Sequence, residues 1–182
     1  MGVKIIAEIG INHSGNIDVC KKLIDEAFRS GCDAVKFQYR KETDNFFTDS
    51  LEMGSTLIKD ELKKIYLNDS DYLVAFNYAS SLGLMVGVSF FRSNDVQYLC
   101  NKFSFDFIKI PSAECTNIAL IKIAQLKCNS VMVSLGGSSG KEIKFISKNI
   151  NFRKKDVIFY CVSNYPAAAD SIHFNYIKQL KE

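Results

Sequence analysis

Six short apolar runs, each followed by a stretch of helical spacing, constrain this chain more than any other feature of its sequence. Residues 4–10, 34–38, 84–90, 107–110, 130–134 and 157–162 are strand-like in length and rich in Val, Ile and Phe. Helical patterns occupy 17–30, 57–66, 71–82, 93–101, 118–126, a stretch opening at Ser139, and 171–180. Asn68, Asn117 and a Ser139–Glu142 capping box mark helix starts, while Gly31 and Gly83 mark stops. Strict β-then-α alternation requires a parallel sheet with right-handed crossovers. The segment 41–56 is too polar and irregular to assign, and its length marks a functional or poorly ordered loop. With 182 residues, no linker and no repeat, the chain reads as one domain.

Polar side chains at the strand ends discriminate between the two parallel architectures. Glu8, Lys36, Ser89, Lys109, Ser134 and Ser163 close or follow all six runs. In an open sheet, strands ~4.8 Å apart would spread these groups over roughly 24 Å. Open sheets instead bind ligands where the strand order reverses. A barrel gathers every carboxyl end around one mouth. The expected fold is α/β, a (β/α)8 TIM barrel that is incomplete, with six βα units present and the first and last strands left as edges. A truncated enzyme is the expectation that follows.

The fourth run carries the densest chemistry, in Phe107-Ile108-Lys109-Ile110-Pro111-Ser112-Ala113-Glu114. Pro111 ends the ladder because it has no N–H to donate, and Ser112 and Glu114 follow at once. Lys36 holds the equivalent place on the second run. Two lysines at one mouth suit an anion, and a glutamate beside a lysine keeps both ionised. Glu8 and Glu114 are then counter-ions or proton carriers. Ser112, Ser134 and Ser163 also fit as turn hydroxyls, Asn12 and His13 as loop or capping residues, and Gly136-Gly137 as an anion nest. The aromatic residues around 103–107 read as packing.

Charge and cysteine usage narrow the partners. The 23 basic and 20 acidic side chains leave a net charge of +3 with no basic stripe, which excludes a nucleic-acid footprint. Arg153-Lys154-Lys155 reads as a solvated loop. Six scattered cysteines, without Cys-x-x-Cys or metal spacing, read as reduced structural thiols of a cytoplasmic protein. No signal-peptide core opens the chain, and no apolar run has membrane-spanning length.

At these residues the chain resembles the sialic acid (N-acetylneuraminate) synthase family. Residues 5–15 are similar to its Ala-Glu-x-Gly-x-Asn-His-x-Gly, and residues 31–38 to its Gly-Ala-Asp-Ala-Val-Lys-Phe-Gln. Residues 109–114 are similar to Lys-Ile-x-Ser-x-Glu, and 161–166 to the signature after strand six. The resemblance implies condensation of phosphoenolpyruvate with an N-acetylated hexose, such as N-acetylmannosamine, and water, giving a nonulosonic acid and phosphate. It places Lys36 and Ser89 against the enolpyruvate carboxylate. Lys109, Ser112, Ser134, Ser163 and Asn164 would surround the phosphate, with Glu8 and Glu114 as catalytic carboxylates and Asn12 and His13 beside the sugar.

The resemblance also implies a divalent metal, Mn²⁺ or Mg²⁺, on two histidines beyond residue 182, so no metal ligand is expected in this chain. His173 is expected at the surface of the last helix. Relatives form homodimers through a C-terminal antifreeze-like domain, which is not expected within residues 1–182. Ser89-Phe90-Phe91 stands for the family's Thr-Pro-Phe, Ser134-Leu135-Gly136-Gly137 for Ser-Thr-Gly-Met, and Tyr160 where many relatives carry histidine. The alternative expectation is a non-catalytic remnant that keeps only a phosphate-binding partial barrel. Little or no phosphate release from phosphoenolpyruvate, N-acetylmannosamine and Mn²⁺ is expected of this chain alone.

Overall fold

A computed structural model of the protein describes residues 3–40, 64–164 and 166–180. The unassigned segment 41–56, and residues 57–63 of the helix expected at 57–66, lie outside the described residues. Among the described residues there are six strands: β1 (Ile6–Gly10), β2 (Ala34–Gln38), β3 (Met85–Ser89), β4 (Phe107–Ile110), β5 (Val131–Ser134) and β6 (Val157–Phe159). Helices follow as α1 (Ile17–Arg29), α2 (Asp69–Ser81), α3 (Ser93–Cys100), α4 (Ile118–Lys127), α5 (Gly140–Asn149) and α6 (Asn175–Gln179).

All pairings are parallel, and the strands lie in the order β1-β2-β3-β4-β5-β6. The order never reverses. Right-handed crossovers in one constant direction stack the helices on one face, so the sheet curls around the other. The fold is of the TIM-barrel type, with six βα units. Among the described residues β1 pairs only with β2 and β6 only with β5. Val157, Ile158 and Phe159 on that last edge are each more than a third exposed.

Side-chain alternation divides the sheet into two faces. Ile9, Val35, Phe37, Val86, Val88, Ile108, Ile110, Val131 and Val133 are fully or almost fully buried beneath the helices. Phe76 of α2 meets Phe37, Phe103 and Phe105 with ring centroids 5.1–5.3 Å apart. The other face carries Glu8, Lys36, Gln38, Ser89, Lys109 and Ser134. Gly87 is required there, because a Cβ would lie 2.0–2.5 Å from the Phe107 ring. Phe107 thereby fills the barrel interior two residues before Lys109.

Helix starts follow local chemistry. The Asn16 side chain accepts from Asp18 and Val19 N–H, Asn68 from Asp71, and Asn117 from Leu120. Ser139 and Glu142 form the expected capping box. The last helix differs from the 171–180 expectation and begins only at Asn175. Ser171 donates its hydroxyl to the Ala168 carbonyl at 2.6 Å, closing a 3-10 turn instead of capping a helix. His173 therefore precedes α6, exposed as expected, with its N–H on the Tyr160 hydroxyl at 3.2 Å.

The basic run at 153–155 also needs correction. Lys154 and Lys155 are exposed, but Arg153 is structural. Its guanidinium donates to the Gln125 and Cys128 carbonyls at the end of α4 and to both oxygens of Asp156. Asp156, its side chain fully buried, also accepts from Gln125 and from the N–H groups of Val131 and Arg153. Burial alone would raise this carboxyl. The hydrogen bonds from Arg153, Gln125 and Val131 outweigh it and hold the pKa at about 2.

Candidate functional site

The carboxyl ends of the strands enclose a cavity of about 410 Å³, a size suited to a small molecule. Glu8, Lys36, Ser89, Lys109, Ser112, Ser134 and Ser163 all line it. The ladder explains this convergence, since Glu8 pairs in register with Lys36, and Ser89 with both Gln38 and Lys109. Gln38 and Arg40 line the same wall, two and four residues beyond Lys36. Strand alternation from Lys36 could have located both. Arg40 stacks on Phe91, its guanidinium carbon 3.6 Å from the ring centroid.

The two lysines are held differently. Lys36 forms an ion pair with Glu8 and donates to Ser89 Oγ at 3.0 Å. Lys109 donates to the Ile110 carbonyl at 3.3 Å and pairs with no carboxylate among the described residues. Burial first, and then the charge of Lys36, pull its pKa down to about 8. The expectation of a glutamate partner thus holds for Lys36 and fails for Lys109.

Three serines share one arrangement. Ser89 Oγ accepts from Lys36 Nζ at 3.0 Å, Ser112 Oγ from the Gly136 N–H at 3.0 Å, and Ser134 Oγ from Cys161 Sγ at 3.3 Å. Each oxygen has a lone pair engaged by a protein donor, so its own proton is left for another acceptor. A Cβ at Gly136 would stand 2.8 Å from both Ser112 Oγ and Ser163 Oγ. The backbone there must be glycine for these hydroxyls to converge.

Four expected residues are not among those lining the cavity. Glu114 is buried, with Oε2 accepting from Asn117 Nδ2 at 2.9 Å. It lies in the 3-10 turn Ser112–Glu114 that follows Pro111, just before α4. His13 is buried edge-on to Tyr72, its Nδ1 accepting from the Gly15 N–H, and burial lowers its pKa. Among the described residues its Nε2 has no hydrogen-bond partner. Asn12 and Asn164 are exposed. Cys161 and Val162, which sequence reasoning did not single out, do line the cavity.

Among the described residues no three His, Cys, Asp or Glu side chains converge to hold an ion. These residues do not fit a divalent-metal centre. Among the described residues no helix is long and apolar enough to cross a membrane.

Six parallel βα units around a mouth lined by lysine and serine side chains define a barrel-type domain with a polar cavity at its strand ends. The chain belongs to the NeuB family, whose model matches residues 23–182. It is 27% identical to the N,N'-diacetyllegionaminic acid synthase of Legionella pneumophila, over 98% of this chain and 54% of that protein. It is 28% identical to the N-acetylneuraminate-9-phosphate synthase of Drosophila melanogaster, over 90% of this chain and 46% of that protein. The crystal structure of the N-acetylneuraminic acid (sialic acid) synthetase of Leptospira borgpetersenii superposes with a TM-score of 0.81 at 25% identity, covering 100% of this chain and 61% of that one. The chain spans about half the length of the curated relatives it matches.

Proposed function

We propose that the cavity binds phosphoenolpyruvate and that the chain supplies the enolpyruvate side of a nonulosonic acid synthase site. The partner substrate is an N-acetylated hexose such as N-acetylmannosamine. Three serine hydroxyls with protons left to give, beside two ammonium groups, carry this reading: a ligand rich in acceptors and negative charge is what such a set holds. Lys36 and Ser89 take the carboxylate. Lys109, Ser112, Ser134 and Ser163 take the phosphate, with Asn164 following on the same loop.

Among the described residues Glu8 is the carboxylate that lines the cavity, its side chain 48% exposed and therefore within reach of water. Bond formation from the enolpyruvate methylene to the hexose aldehyde carbon breaks the aldehyde π bond, whose oxygen takes a proton from water. It leaves positive character on the phosphate-bearing enol carbon, which Glu8 stabilises electrostatically. Water then attacks that carbon, and Glu8 accepts its proton before phosphate leaves. Glu114 acts from outside the cavity, holding Asn117 and with it the start of α4. Asn12 and His13 shape the loop after β1 on the sugar side.

Calorimetry with phosphoenolpyruvate should show binding that sulfate competes away, since both ligands need the same donors. Little or no phosphate release is expected when N-acetylmannosamine and Mn²⁺ are added to the 182-residue chain, because its described residues gather no metal ligands. Failure of phosphoenolpyruvate to bind, or binding indifferent to sulfate, would overturn the assignment.

A further inference from the structure

We infer that Cys161 is a positioning residue of this cavity, acting through Ser134; the inference rests on the anion-binding reading above. Its Sγ lies 3.3 Å from Ser134 Oγ and donates to it, while the next acceptor, the Phe159 carbonyl, is farther at 3.7 Å. Ser134 is only 5% exposed, and among the described residues its hydroxyl has no acceptor. A buried O–H without an acceptor is costly unless a ligand supplies one. With one lone pair taken by the thiol, the hydroxyl proton is confined to directions away from Cys161. Ser134 lines the cavity, and that is where the proton turns.

The fold fixes this pair. Ser134 stands opposite Phe159 in the β5–β6 register, and Cys161 follows two residues later on the same face. The Cys161 Cβ is 3.2 Å from where a Cβ at Gly136 would sit, the point on which Ser112 and Ser163 also converge. The thiol therefore stands beside the serine cluster on the cavity wall and contributes direction to one of its donors.

Inorganic phosphate is the probe, titrated calorimetrically into the full chain and its variants. Cys161→Ala should weaken binding about three- to tenfold, the range for loss of one modest hydrogen bond. Cys161→Ser, which restores a donor, should return affinity to within about twofold of the parent. In a Ser134→Ala background, Cys161→Ala should change nothing further, because the group it orients is gone. Thermal melts of each variant separate this from a packing role, which would lower the melting temperature without the Ser rescue of affinity. Equal phosphate affinity in Cys161→Ala and the parent, or equal losses with and without Ser134, overturns the inference alone. A parent chain that binds neither phosphate nor phosphoenolpyruvate overturns the site reading and this inference together.

Discussion

Lys36→Met is expected to lower the cavity's affinity for phosphoenolpyruvate by about thirty- to a thousandfold, as for loss of one partner of a hydrogen-bonded charge pair. Two effects add. The variant loses a cation that the ligand's carboxylate needs, and it leaves Glu8 facing the incoming anion without its counter-ion. Ser89 also loses the donor that directs its hydroxyl. The fold should survive, because Glu8 is about half exposed and hydrates once its partner is gone. Adding Glu8→Gln to Lys36→Met should recover part of the lost affinity, since the repulsive charge is then removed. Calorimetry on the single and double variants checks this. Recovery would separate an electrostatic site from a merely packed one, and its absence would count against the cation's assigned role.

The largest effect on stability is expected from Asp156→Ala. Five donors converge on this buried carboxylate, drawn from the side chain of α4's Gln125, the start of β5, and the main chain and guanidinium of Arg153. Removing it leaves several donors unsatisfied and Arg153 without its counter-ion, a loss of about 2–4 kcal/mol. The pH dependence has a definite sign. The folded-state pKa of about 2 lies below the ordinary carboxylate value, so the unfolded chain binds the proton more tightly. This contribution is complete above about pH 4 and is lost as pH falls toward 2. Urea unfolding of parent and variant at neutral and acid pH should show a gap that narrows on acidification. A gap independent of pH would contradict the assigned charge state.

Much of this molecule was legible in its sequence because the governing signals are local. The Ala34–Gln38 strand, the Asn117 cap and the Ser139–Glu142 box each depend on residues within a few positions of one another. The convergence of Glu8, Lys36, Ser89, Lys109, Ser112, Ser134 and Ser163 also followed from local information, since a parallel barrel aligns every strand end.

What escaped depends on contacts between distant segments or on turn geometry. Glu114, five residues after Lys109, is not among the residues lining the cavity and instead accepts from Asn117 in a 3-10 turn. Arg153 resembles its solvated neighbours in sequence and differs only because α4's final carbonyls lie within reach. The depressed pKa of Lys109 arises from burial, which no motif encodes. Cys161 carried a signal that could have been used, standing two residues before Ser163 on the alternation.

The claim that two lysines and three directed hydroxyls make one anion site is tested most directly by sulfate affinity across pH. Sulfate keeps its charge from about pH 6 to about pH 10, so any change in binding reports the protein's own groups. Lys109 must be protonated to contribute, and its free-state pKa is about 8. The predicted result is constant affinity below that value and a decline above it, approaching tenfold per pH unit, with the decline abolished in Lys109→Met. Affinity that stays constant through about pH 10, or an unchanged decline in Lys109→Met, would contradict the account.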